Sequence, residues 1–413
     1  MASHILKTHD LTFASRPSLL GQHKLSYNGL DLAFSPYTHY WKEMKKLCVL
    51  HLFNPRRIHS FCPIREDEVL RMITKISQSH GLINLSETSM SFTSSLICRI
   101  AFGKRYEEDQ GSRFHIGLLT EAQALLAEFY LSDYIPWLGW VDRLTGKLWR
   151  LDQIFNKLDM FYQQVINDHL DQSNQQQRDI IDIFLQIIHS HNSTPFHLTM
   201  DHIKALLMNI FIAGTDTSAA TIVWAMTSLI KNPGVMKKAQ DEIRSVYGEK
   251  DFIREEDIQR LPYLKAIVKE TLRLFPPSPL LVPRESMQKC NIEGYEIQPK
   301  TLVFVNAWAI GRDPETWEEA EQFNPDRFFK CEIDFKGQDF ELIPFGAGRR
   351  MCPGMQMGVV TVELALVNLL HSFDWDLPDG IHKHDIDTQI KPGITTHKKI
   401  DLCLVAHSHT KTR

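Results

Sequence analysis

One cysteine near the C-terminal end sits in a run of fixed spacing: Pro344-Phe345-Gly346-Ala347-Gly348-Arg349-Arg350-Met351-Cys352-Pro353-Gly354. Its skeleton is Phe-x-x-Gly-x-Arg-x-Cys-x-Gly. Gly346, Gly348 and Gly354 let the backbone turn tightly and pass close to a flat ligand. Pro353-Gly354 opens a helical pattern, so Cys352 lies just before a helix N-terminus. Free amides there favour a thiolate and can donate to its sulfur. Arg350, two residues away, can meet an anionic substituent of the same ligand. A lone cysteine beside a glycine turn is ordinarily a small buried hydrophobe, but the surrounding skeleton points to a ligand.

Three further groups stand out. In Lys269-Glu270-Thr271-Leu272-Arg273, Glu270 and Arg273 are spaced i, i+3 and share a helix face. Apolar flanks (Ile267, Val268, Leu272, Leu274) suggest burial, and a buried guanidinium needs several acceptors. Arg327, in Phe323-Asn324-Pro325-Asp326-Arg327-Phe328, is the expected third partner, and the role is structural. In Ala213-Gly214-Thr215-Asp216-Thr217-Ser218, mid-helix hydroxyls can bond back to carbonyls and bend the ladder. Gly214 removes a side chain that would obstruct a ligand, so a local opening is expected there, with small-residue helix packing as the alternative. Trp41 and Lys45 lie i, i+4 on one helix face. With Lys42 and Lys46 they make a basic patch, which is either a solvated face or a docking surface.

The elements that must position these residues are mostly helical. Apolar periodicity predicts helices over 39–52, 63–78, 86–102, 112–129, 149–172, 178–189, 199–231, 233–247, 254–260, 261–275 and 354–372. Asn232 reads as a cap, with Pro233 in the first turn. Strand patterns are short, at 302–306 and 400–405. From 313 to 348 a Pro-, Gly- and Asp-rich meander has no clear period, and such loops are usually functional. The fold class is mainly α with a small β-sheet portion, and the absence of any linker composition makes residues 1–413 a single domain.

Bulk composition narrows the function. Of 413 residues, 43% are hydrophobic and 23% charged, with a net charge of -4, which excludes a disordered chain and gives no basic block for nucleic acid. Seven cysteines without a CxxC pair, and histidines without an HExxH pair, argue against a disulfide framework or structural zinc. No basic segment followed by an apolar run opens the chain, so neither signal peptide nor anchor is expected. The apolar stretch 205–230 is long enough for a membrane span, but a carboxylate at Asp216 in its middle favours a buried core helix.

The cysteine segment resembles the haem-binding loop of cytochrome P450 enzymes. The Glu-x-x-Arg group with Arg327, the Ala213–Ser218 region and the Trp-x-x-x-Lys group match other family motifs in the right order, and the likeness covers nearly the whole chain. Asp133-Tyr134-Ile135-Pro136-Trp137-Leu138-Gly139-Trp140 and Asp339-Phe340-Glu341-Leu342-Ile343-Pro344 resemble plant A-type members. The likeness implies haem b (iron protoporphyrin IX) held by Phe345, Gly346, Gly348 and Gly354, with Cys352 as axial iron ligand. Arg350, Trp41, Lys45 (Arg in the family pattern) and Arg284, in Leu281-Val282-Pro283-Arg284-Glu285, would meet the haem propionates. Thr217 and Asp216 would serve oxygen activation and proton relay. Phe211, Ala213, Leu280 and Ile394 are candidates for the distal pocket. The implied function is a monooxygenase placing one atom of O2 into a small apolar substrate of plant specialised metabolism. Electrons would come from NADPH through a flavoprotein reductase. A monomer on the cytosolic face of the endoplasmic reticulum membrane is implied, with no nucleic acid partner. The alternatives are a haem-thiolate lyase or isomerase needing no O2, and an inactive haem-binding fragment. The family's anchor, hinge, first helix and first strands precede the stretch that Ala2 to Lys7 resembles, so the likeness implies that they are missing here.

Overall fold

The stretch from residue 200 to 231 is apolar on nearly every side, which leaves no face for water and requires burial all round. In the computed structural model this is helix Met200–Lys231, around which the rest is arranged. The structure describes residues 1–79, 81–105, 110–171, 179–189, 196–248, 250–391 and 393–409.

In chain order the helices are α1 (Leu20–Leu25), α2 (His39–His51), α3 (Pro55–Ser60), α4 (Cys62–Gln78), α5 (Leu85–Phe102), α6 (Gln110–Leu126), α7 (Gly139–Leu144), α8 (Lys147–Asp171), α9 (Ile180–His189), α10 (Met200–Lys231), α11 (Pro233–Tyr247), α12 (Pro262–Leu274), α13 (Ala307–Ile310) and α14 (Met355–Ser372). The strands are β1 (Leu82–Asn84), β2 (Arg284–Glu285), β3 (Cys290–Ile292), β4 (Tyr295–Ile297), β5 (Leu302–Val303), β6 (Phe373–Asp376), β7 (Ile390–Lys391), β8 (His397–Lys398) and β9 (Cys403–Ser408). β1, β9 and β6 form a three-stranded sheet, and the other strands pair as β2–β5, β3–β4 and β7–β8, all antiparallel. The mainly helical reading with a little sheet therefore holds.

α10 packs on α5, α12 and α14. Glycine permits one of these approaches: a Cβ on Gly214 would lie 2.7 Å from Ile97 Cδ1 of α5. The expectation that Gly214 clears space for a ligand is therefore overturned: Ile97 fills that space, and the glycine serves helix packing. α10 and α14 are long and apolar enough to cross a membrane, and both are mostly buried within the protein.

Local chemistry moved several boundaries. The helix expected at 254–260 is a 3-10 stretch over Glu255–Arg260. Leu261 precedes Pro262 and stands at φ −117° and ψ 72°, outside the helical region that a following proline disfavours. The Asn232 side chain, expected to cap α11, instead donates to the Ser228 carbonyl at 2.8 Å and closes α10. β9 begins at Cys403 rather than 400, because Leu402 is committed to α5: its amide donates to Ser86 Oγ at 3.0 Å and its carbonyl accepts from Leu85 at 2.8 Å. The outer ends of the helices expected at Gln172 and Arg178 lie outside the described residues.

Candidate functional site

The loop before α14 is built as the spacing demands. Gly346 and Gly348 have φ of +69° and +70°, a region costly for side-chain-bearing residues. A Cβ on Gly348 would lie 2.5 Å from both Asp10 Oδ1 and the Leu6 carbonyl. The Cys352 amide donates to the Phe345 carbonyl at 3.0 Å, which folds the loop back on itself. Phe345 is braced edge-on by Phe335, with ring centres 5.5 Å apart. Burial pushes the Cys352 thiol upward, while the amides of Gly354 and Met355, aimed at the sulfur, pull it back toward the thiolate. A cation on the sulfur would complete that shift.

Cys352 lies deep in the protein and yet carries open surface, as does Ala213 in mid-α10. A hollow between α10, α12 and α14 is lined by Thr217, Thr221, Val268, Leu272, Phe345 and Val359. Its walls are largely apolar. Thr217 is half-buried, and its hydroxyl donates to the Ala213 carbonyl at 2.7 Å. Of the distal candidates, Leu280 is exposed and Ile394 half-buried. Phe211 is corrected: it is fully buried in an aromatic cluster with Phe102 and Phe161, ring centres 5.5 and 6.0 Å away, so it packs the core.

Beside the loop lies a cluster of cations. Arg350 is buried, donates to the carbonyls of Ala14 (2.7 Å) and Ser35 (2.6 Å), and stacks 3.8 Å from the centre of the Trp41 ring. Arg284 is buried against the carbonyls of Phe13 and Ala347 and lies 3.6 Å from Asp10. Lys45 donates to the Arg349 carbonyl and sits 5.3 Å from the Trp41 ring centre. Arg16, which sequence reasoning missed, is buried and bonded to the carbonyls of Ala33, Val282 and Pro283. Burial holds all three guanidinium groups below their usual range, Arg350 at about 9; repulsion from Arg284 adds to the shift of Arg350, and repulsion from Arg350 and Arg284 to that of Arg16. Asp10 and Asp31 face the four cations, and burial raises Asp31 to about 6. Carbonyls satisfy donors but do not neutralise charge. A buried excess of cations calls for a dianionic ligand. A thiol with converging amides, an apolar hollow and this cationic rim fit a haem with two propionates.

The loop carrying Arg350's acceptors is itself tied down. Asn209 of α10 accepts from the Leu32 and Ala33 amides at 3.0 and 3.1 Å and donates to Asp31 at 2.8 Å. Trp41 Nε1 donates to the Leu32 carbonyl at 3.0 Å. Thr38 caps α2 by accepting from the Trp41 amide, which fixes the ring's place.

The structure also brings Glu270, Arg273 and Arg327 together. Arg273 grips Glu270 with two bonds of 2.7 and 2.8 Å, both side chains fully buried. Arg327 adds a third at 3.1 Å. Arg273 further donates to the carbonyls of Gly311, Ala320 and Gln322, which pins the meander to α12. Asp216, expected near Thr217, is buried beside Gln123 of α6 and His397 of β8. No spacing signal links residues so far apart in sequence.

The sequence model of the family described as Cytochrome P450 matches residues 1–404. The chain is 48% identical to "Cytochrome P450 71A1" of Persea americana, covering 99% of this chain and 83% of that protein. It is also 48% identical to "5-OH-xanthotoxin synthase" of Pastinaca sativa, covering 97% and 81%. A solved zebrafish cytochrome P450 structure with abiraterone superposes with a TM-score of 0.83 at 24% identity, covering 99% of this chain and 91% of that one, and shares its fold.

Proposed function

The chain belongs to the cytochrome P450 family and is a haem-thiolate monooxygenase of the plant type; from that premise we propose that Cys352 would supply the thiolate that holds the haem iron and that the substrate is a small, planar, apolar aromatic compound. The observation that carries the ligand assignment is Cys352 itself: deep in the protein yet carrying open surface, with two amides aimed at its sulfur. Bound haem supplies activation of dioxygen and transfer of one of its atoms to the substrate, the other leaving as water. Gly346, Gly348 and Gly354 let the backbone close over the ligand. Arg350, Arg284 and Lys45 receive its carboxylates, with Trp41 shaping the rim. Thr217 and Asp216 pass protons toward the reacting oxygen. The relatives named 6,7,8-trihydroxycoumarin synthase and 5-OH-xanthotoxin synthase support a coumarin-like substrate, as do the apolar walls of the hollow.

Electrons come from NADPH through a flavoprotein reductase that docks a monomeric P450 on the basic face of α2, where Lys42 and Lys46 are exposed. The cytosolic face of the endoplasmic reticulum membrane is the proposed location. Phe129, Tyr134, Trp137, Trp140, Leu144 and Trp149 are all more than half exposed within one short segment, an aromatic composition suited to a lipid headgroup region.

The test is a carbon-monoxide difference spectrum of the reduced, haem-loaded protein. A strongly red-shifted Soret band that disappears in Cys352→Ala is expected. A histidine-like spectrum from intact protein would refute the thiolate assignment. Turnover that needs neither NADPH nor reductase would refute the monooxygenase route.

A further inference from the structure

Asp216 sits in the middle of α10 with 6% of its side chain exposed, one residue before Thr217. A carboxylate so placed cannot exchange protons with water by itself; another group must reach it. His397 Nε2 lies 2.8 Å from Asp216 Oδ1, off the axis of a hydrogen bond and itself buried, while 26% of the His397 side chain, on the rest of the ring, is accessible to water. The other carboxylate oxygen, Oδ2, is held by the Gln123 amide, which also donates to Thr395 Oγ1 at 3.2 Å. The strand that carries His397 is fixed to α10. Trp224 Nε1 donates to the Thr396 carbonyl at 2.8 Å, and the Thr396 amide donates to the Pro277 carbonyl at 2.9 Å. The anchored strand therefore keeps the imidazole beside one oxygen of the acid while Gln123 occupies the other.

We propose that His397 is a positioning residue that links Asp216 to water and resupplies it with protons. This rests on the reading that Asp216 and Thr217 deliver protons. In the step, the Nε2–H bond of the imidazolium breaks and an O–H bond forms on Asp216 Oδ1; the electron pair stays on Nε2, the ring keeps its Nδ1–H, and after the ring turns toward its accessible side Nε2 takes a proton from a hydronium ion, which leaves as water. Gln123 cannot take that role, because a neutral amide donates a hydrogen bond without releasing a proton, and it serves to orient the carboxylate.

The experiment compares wild-type protein with His397→Gln, His397→Phe, Asp216→Asn and Thr217→Ala. Each is loaded with haem, checked by its carbon-monoxide spectrum and reconstituted with reductase, with xanthotoxin as the probe substrate. Peroxide released per NADPH consumed and the solvent deuterium effect on NADPH consumption are measured. Both His397 variants should raise peroxide release at least twofold and enlarge the deuterium effect, with unchanged thiolate spectra. Glutamine keeps a donor at the acid but carries no proton, so wild-type behaviour in His397→Gln would overturn the proposal. Wild-type behaviour in both Asp216→Asn and Thr217→Ala would instead overturn the reading on which it rests. Thermal unfolding of His397→Phe, Asp216→Asn and the double variant gives a readout independent of turnover. Shifts in midpoint that do not add are expected, and strict additivity would show that the two side chains are not paired.

Discussion

The guanidinium of Arg350 lies 3.8 Å from the centre of the Trp41 ring, face on, while the indole N–H of the same ring donates to Leu32. The ring thus shields a buried cation and fixes the loop whose carbonyls satisfy it. Trp41→Ala removes both and leaves a void, at an expected cost of roughly 3–5 kcal/mol. Trp41→Phe keeps a ring under the cation and loses the indole bond, at about 1 kcal/mol. Unfolding in denaturant and the haem retained after gel filtration should rank the proteins wild type, Phe, Ala. Equal haem retention in all three would mean that the ring does not hold the cationic rim.

Glu270 is the one carboxylate bonded to both Arg273 and Arg327 among the described residues, and it is fully buried. Glu270→Gln leaves two guanidinium groups without a countercharge, with an expected loss of about 3–5 kcal/mol. The exposed pair of Lys238 and Asp326 is the comparison: Asp326→Ala should cost under about 1 kcal/mol. Denaturation midpoints of the two variants test the contrast. Comparable losses would mean that the triad is no more than a surface pair.

The Glu270–Arg273 pair and the Cys352 loop were legible because their signals are local. An i, i+3 spacing puts two residues on one helix face, and a glycine-turn-cysteine-helix order leaves few geometries. Arg16 and His397 were not legible. Arg16 acquires its role from carbonyls at Val282 and Pro283, more than 260 residues away, and His397 from a helix residue 181 positions earlier. Nothing in either neighbourhood announces such a partner. Gly214 failed for a different reason. A mid-helix glycine signals close approach, but the sequence does not say whether a ligand or Ile97 approaches. Strand ends were misplaced because pairing partners set them: Val405 pairs with both Leu82 and Asp376.

Trp137 and Trp140 stand 80% and 59% exposed, and so can be changed without disturbing the core. Trp137→Ser with Trp140→Ser should shift the unfolding midpoint little. It should also lower cosedimentation with phosphatidylcholine vesicles several-fold, because indole rings favour the lipid interface. Unchanged cosedimentation would move membrane attachment elsewhere on the protein.

Glu363 in α14 is half-buried, and burial raises its carboxyl to about 7, with Lys265 offsetting part of the shift. The fold therefore favours the neutral acid. For an acid raised in the folded state, the stability is fully present below the unfolded value of 4.5 and is lost as pH climbs through about 7. Asp31 acts in the same direction but is finished near pH 6. Between pH 6 and 8 the wild-type protein should thus lose stability, and Glu363→Gln, neutral throughout, should lose less. At pH 8 the variant gains at most about 3 kcal/mol over wild type, and at pH 5 much less. Denaturant unfolding of both proteins at the three pH values decides the matter: parallel curves would place the Glu363 carboxyl in water rather than in the core.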